Sequence, residues 1–320
     1  MVSKERKQIL LQYAAGITAS IGAAGYGANI SWTSPAVSYL TSPISHIPTS
    51  KEQSDWVASL YPVGLVIGYL LNPLIIDTFG RKRTLLLLTI PQIISWVMII
   101  LANDCLIIYI ARILGGIGYG AKICSLTVYL SEIGSKKNRG IFLVFLPVFI
   151  NTGMLYVMIL GAYLSYNLMN IALFILPIIF FATFFFMPES SDFREKTEDI
   201  KMKSLLNLPE LEDVNKNGKI NHNEGFYTST LKFKESRLWK LVALRNNRKA
   251  LMTVIFLSAY IAFSGDTTLT YFTEQILSFS GFFISAKKAT IILTCTKVVA
   301  SLISIPLVER VGPTCWNNTL

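Results

Sequence analysis

An all-α polytopic membrane protein is the fold class this sequence predicts, on three observations. Of its 320 residues 52% are hydrophobic and only 15% charged, against about 25% charged in soluble domains. The apolar residues gather into eight runs, each close to the roughly 20 residues that cross a bilayer as a helix. The Lys and Arg residues collect in alternate connections between those runs, the asymmetry that orients helices in a membrane.

The first run, residues 8–30, is built from small residues (AAGITASIGAAGYGA) that let helix backbones approach where water is absent. The second to fourth runs, 56–76, 84–102 and 105–131, are oilier and joined by short connections. The fifth and sixth, 140–163 and 166–187, end in FILPIIFFATFFFM, and the seventh and eighth fall at 249–272 and 289–308. Residues 1–187 therefore form a six-helix half, 188–248 a polar cytoplasmic linker, and 249–320 the start of a second half. An acid followed at the third position by Gly recurs as IIDTFGRKR at 75–83 and LVERVGP at 307–313, six spans apart, as parallel repeats would give.

Orientation follows from the charges. Lys4, Arg6 and Lys7 precede the first span, Arg81, Lys82 and Arg83 follow the second, and Lys136, Lys137 and Arg139 follow the fourth. The alternate connections hold Lys51, no cation at 103–104 or 164–167, then Lys287 and Lys288. An integral multi-pass protein with a cytoplasmic N-terminus is expected, placed in the plasma membrane and partnered by the lipid bilayer. The net charge of +10 is then a topology signal, and no nucleic-acid partner is expected.

Cys105, Cys124, Cys295 and Cys315 lack CxxC spacing, and His46 and His222 lie in loops, so zinc, redox and paired-carboxylate chemistry find no constellation. No enzyme activity and no cofactor are expected. One metal motif stands out: DVNKNGKINHNE at 213–224 matches a calcium loop, with oxygen donors Asp213, Asn215, Asn217 and Glu224 and a turn at Gly218. An Asn/Gly-rich turn without metal reads the same residues. The glycines Gly115, Gly116, Gly118 and Gly120 follow no strand, so close helix packing is preferred to a dinucleotide loop.

Charged groups at helix ends suggest ion pairs: Asp77 with Arg81 and Lys82, and Glu132 with Arg139. Arg112 lies near an apolar run, where a charge costs a few kcal/mol unless paired, and Glu132 or Glu189 is its expected partner. Asp266, an acid in an apolar run, is either paired with Lys297 or a proton site.

Six segments, DTFGRKR at 77–83, RILGGIGYG at 112–120, YLSEIGSKKNRG at 129–140, MPES at 187–190, SGDTTLTY at 264–271 and VERVG at 308–312, carry a resemblance across nearly the whole chain. The chain resembles the sugar porter branch of the major facilitator superfamily, within it the insect facilitated trehalose transporter-like proteins. The resemblance implies a major facilitator fold with about eight of its twelve transmembrane helices present, and a chain truncated after the eighth. It implies transport of a sugar, hexose or trehalose-like, by alternating access; a non-transporting sensor or degenerate relative is the alternative. It implies a gating ion-pair network of Asp77, Arg81, Lys82, Arg112, Glu132, Arg139, Glu189, Glu309 and Arg310.

For the sugar, the candidate contacts are Tyr26, Asn29, Asn151, Thr152, Tyr260, Ser264, Asp266, Thr267 and Tyr271. Glutamines that bind sugar in the family are replaced here by Ile261, Ala262 and Pro147, and an Asn by Thr267, which removes amide donors and acceptors. Proton-coupled members carry an Asp after a Gly-Tyr pair of the first span. Here Gly25 and Tyr26 are followed by Gly27, which favours facilitated diffusion.

Overall fold

The structure, a computed structural model, describes residues 2–134, 139–190, 263–279 and 285–317, with a few positions between 248 and 260. Every regular element among the described residues is a helix. The chain divides into two compact units, Met1–Thr197 with Thr270–Leu320, and Glu198–Leu269.

In the first unit α1 (Val2–Ser31) runs almost directly into α2 (Thr33–Leu40). The break at Trp32 has a chemical cause: Pro35 has no N–H for the Ser31 carbonyl. Trp32 N–H still donates to Ala28 O at 2.9 Å and Ala36 N–H to Trp32 O at 3.1 Å, so the path stays helical. Helix α3 (Lys51–Phe79) starts at a reciprocal cap in which Ser50 Oγ accepts from the Gln53 N–H and the Gln53 side chain accepts from the Ser50 N–H. It ends at Gly80, whose φ of 84° a side chain would strain. This turn lets α4 (Arg81–Leu87) double back, and α5 (Thr89–Ile100) follows after a break at Leu88. Pro91, unable to donate to Leu87, accounts for that interruption.

Helices α6 (Cys105–Ile133), α7 (Arg139–Tyr163) and α8 (Tyr166–Phe185) follow in the same unit. Among the described residues six helical stretches are long and apolar enough to cross a membrane: Lys51–Phe79, Arg81–Ile100, Cys105–Ile133, Phe142–Tyr163, Tyr166–Phe185 and Ala286–Pro306. α1 is not among them, because its Gly and Ala residues contribute little hydropathy. Its Ala15, Ala19 and Ala23 are nonetheless fully buried in the bundle.

Small residues set the closest helix contacts. A Cβ added to Gly116 would lie 2.5 Å from Tyr61 O, and one added to Gly64 would lie 2.3 Å from Ile113 O. Each helix thus rests on the other's backbone, the close packing expected of this glycine stripe. α1 and α7 meet the same way through Gly27 against Ile150 and Gly153 against Ala24. Large apolar side chains such as Leu70, Leu74 and Phe186 point outward and exposed, as lipid-facing residues do.

The seventh span differs from expectation. Instead of one run over 249–272, a turn at Ser264–Gly265, with Gly265 at a φ of 75°, precedes α9 (Asp266–Phe279), which extends past 272 and is irregular at Phe272. α10 (Ala286–Asn317) is the eighth span and packs on α7. The 213–224 loop, Lys136 and Lys137 lie outside the described residues. So do the side chains of Arg139, Glu309 and Arg310, although α7 and α10 carry their backbones.

Candidate functional site

Within the first unit, tyrosines from four helices converge. Tyr61 on α3, Tyr119 on α6 and Tyr271 on α9 are buried together with Leu65, and Tyr26 on α1 packs against them. Tyr26 and Tyr69 hydroxyls lie 3.0 Å apart, and the Tyr119 hydroxyl accepts from Trp96 Nε1 at 3.2 Å. The Tyr61 hydroxyl is buried with no hydrogen-bond partner among the described residues. Aromatic faces with polar tips suit a ligand that is apolar on one face and hydroxylated at its edge.

Of these tyrosines the sequence singles out Tyr26 and Tyr271 but not Tyr61, Tyr69 and Tyr119. Their signal was available: Tyr61, Leu65 and Tyr69 recur every four residues, so they share one face of α3. Asn29 does not present its side chain as a free sugar contact. It is 1% exposed, and its Oδ1 and backbone carbonyl both accept from Arg112. Asn151 is half-buried on α7, and Thr152 Oγ1 donates to its own helix at Val148 O.

In the second unit Tyr260, Ser264, Asp266 and Thr267 are exposed, and Ser264 Oγ accepts from the Asp266 N–H at 3.4 Å. Lys297 of the first unit donates to Thr270 Oγ1 at 3.1 Å.

Arg112 overturns its expected pairing. It sits two turns into α6, whereas Glu132 is twenty residues further along, about 30 Å away at 1.5 Å per residue. Its guanidinium instead donates to Asn29, Val57 O and Thr33 Oγ1 at 2.8–3.3 Å. It also lies against the rings of Tyr61 and Trp32, at 4.2 and 4.9 Å from their centroids. Three turns on, Lys122 is a second buried cation, donating to Gln92 Oε1 at 3.0 Å and capping the Phe180 ring at 3.5 Å.

At the far end of α6 several of the expected charges do meet. Arg81 donates from Nε and Nη2 to both oxygens of Glu132 at 2.8–3.0 Å, and Asp77 stands 3.9 Å from Arg81 one turn back. Glu132, expected to pair with Arg139, is thus held by Arg81. Glu189 accepts from the Lys82 N–H at 2.8 Å, an acid placed at a helix N-terminus. Tyr129 donates to Pro188 O at 3.0 Å and so ties the end of α6 to the segment carrying Glu189.

A family model described as sugar (and other) transporter matches residues 12–313. Facilitated trehalose transporter Tret1 of Anopheles gambiae is 28% identical over 95% of this chain and 39% of its own length. The Tret1 of Apis mellifera ligustica is 26% identical, over 97% of this chain and 62% of its own. The chain thus spans roughly two fifths to three fifths of these relatives. Among solved structures, the xylose transporter XylE of E. coli in a partially occluded inward-open conformation superposes with a TM-score of 0.68 at 17% identity, over 93% of this chain and 73% of that one. The nucleoside transporter NupG superposes at 0.60 and 14% identity, over 94% and 68%. At such identities the likeness shows the fold alone.

Proposed function

Because the chain belongs to the family of sugar and other transporters, we propose that it carries a sugar, a hexose or a trehalose-like disaccharide, across a membrane by facilitated diffusion. Its fold is that of the major facilitator superfamily, in a multi-pass membrane protein. The observation that carries the reading is the tyrosine cluster: Tyr26, Tyr61, Tyr69, Tyr119 and Tyr271 bring five hydroxyls and five rings from four helices to one place. Rings cover the C–H face of a pyranose and phenols exchange hydrogen bonds with its hydroxyls. This suits a chain whose amide side chains are few on these faces.

Facilitated diffusion draws support from Gly27. A Cβ there would come within 1.9 Å of Ile150 O, so the helix seam has no room for the acid that proton-coupled members carry after Gly-Tyr. Asp266 serves as a polar group at the break in the seventh span.

The Arg81–Glu132 pair with Asp77 and Glu189 serves as a latch on one face of the membrane, and alternating access requires it to open. Arg139, Glu309 and Arg310 belong to the same latch. With the N-terminus in the cytoplasm that face is cytoplasmic, and the plasma membrane is the site of action. Residues 1–187, 188–248 and 249–320 act as first half, linker and beginning of the second half.

Purified protein in liposomes preloaded with unlabelled glucose or trehalose tests the reading by counterflow. The expected result is transient accumulation of labelled sugar that does not depend on a proton gradient. Label no higher than in protein-free liposomes would remove the proposal.

A further inference from the structure

At the end of the first unit opposite Arg81, two cavities of about 320 and 560 Å3 adjoin, and Ser38 and Glu274 line both. Small-molecule sites span about 300–1,000 Å3. Neither cavity touches the tyrosine cluster. Their walls come from α2, the start of α3 and the residues before it, the turn between α7 and α8, α9 and the start of α10.

The position of Glu274 is fixed by its surroundings. Its N–H donates to Ser34 Oγ at 3.1 Å, which seats this turn of α9 on α2. Lys287, across the first cavity, donates to Gly161 O at 3.4 Å. The Glu274 side chain is half-buried and faces both cavities. In the first cavity Tyr39 and Tyr166 stack with ring centroids 4.4 Å apart, a rigid pair that lines one side. In the second, Thr49 and Ser278 add hydroxyls and Lys51 a second ammonium.

The charges select the ligand. An anion would meet Glu274 in both cavities, and a cation would meet Lys51 or Lys287. A neutral polyol uses all of them. The carboxylate accepts from two adjacent hydroxyls at once, and the ammoniums donate to ring or bridging oxygens.

We propose that this cleft is a second binding site for a neutral sugar, with Glu274 at its waist and one ring of a disaccharide in each cavity. The inference rests on the sugar-carrier reading and adds to it a site outside the tyrosine cluster.

Equilibrium dialysis of labelled trehalose, and of labelled glucose in parallel, against the full chain in lipid nanodiscs tests it. Wild-type protein is expected to bind two molecules per chain. Glu274→Gln should weaken one of them at least ten-fold and leave the other unchanged. Ser278→Trp, at an exposed position that fills the second cavity, should do the same without removing a charge. Two molecules bound with wild-type affinity in both variants, or one molecule bound by wild type and untouched by both, would overturn the second site and leave the carrier reading standing. No binding of trehalose or glucose by wild type would overturn both.

Discussion

Arg81 and Arg112 are held in opposite ways. Arg81, at a helix end and 8% exposed, meets a carboxylate through three hydrogen bonds. Arg112, 1% exposed in the body of α6, meets carbonyls, an amide, a hydroxyl and two rings, and among the described residues no ion pair. Lys122, 2% exposed, follows the second pattern with Gln92 and Phe180. The difference reflects what each partner must give up. A carboxylate drawn into the bundle would lose its own hydration, several kcal/mol per ion. A carbonyl or an aromatic face loses far less, and a desolvated cation–π contact contributes about 2 kcal/mol. Carboxylate partners therefore suit the ends, where water stays within reach. Neutral partners suit the interior, where a carboxylate would have to give up its hydration.

The largest break in this comparison is charge reversal at the end. Arg81→Glu should lose about 3–5 kcal/mol of stability by stranding Glu132 beside a like charge, and Arg81→Glu with Glu132→Arg should recover at least half. Thermal unfolding in detergent reads both. Recovery near zero would mean that the pair is not what holds this end.

Next comes Arg112→Lys, which keeps the charge but loses the planar fork and its ring contacts. About 2–3 kcal/mol should be lost, and no second-site acid at Glu132 or Glu189 is involved: Glu189→Gln on top of Arg112→Lys should give additive effects. A coupling above about 0.5 kcal/mol would contradict the separation of the two regions.

The smallest effect sharpens the contrast. Replacing Lys122 and Gln92 together, Lys122→Met with Gln92→Leu, should be neutral or stabilising by about 1 kcal/mol, because buried charges exchanged for apolar groups of like size often cost nothing. A loss above about 2 kcal/mol would show that Lys122 holds more than Gln92 and the Phe180 ring.

At the end of the bundle DTFGRKR marked the helix terminus where Asp77 meets Arg81, but the partner of Glu132 was not legible, because Arg139 lies far nearer to it in sequence than Arg81 does. Nor was that of Arg112, since any acid in the chain is a formal partner until the helix is given its length. The 1.5 Å rise per residue would have excluded Glu132. Lys122 hides in a glycine-rich stretch, and Tyr61 and Tyr69 read as ordinary residues of an apolar span until α6 and α9 bring further rings against that face. The interruption at Gly265 was likewise hidden, since a left-handed residue leaves no mark on hydropathy.

The most direct test of the account is half-saturation of counterflow in wild type and in Tyr26→Phe with Tyr271→Phe, with membrane insertion checked in parallel. The account predicts that losing these two hydroxyls raises the half-saturating sugar concentration at least ten-fold in protein that inserts normally. An unchanged value would place the sugar elsewhere and contradict the assignment of the tyrosine cluster.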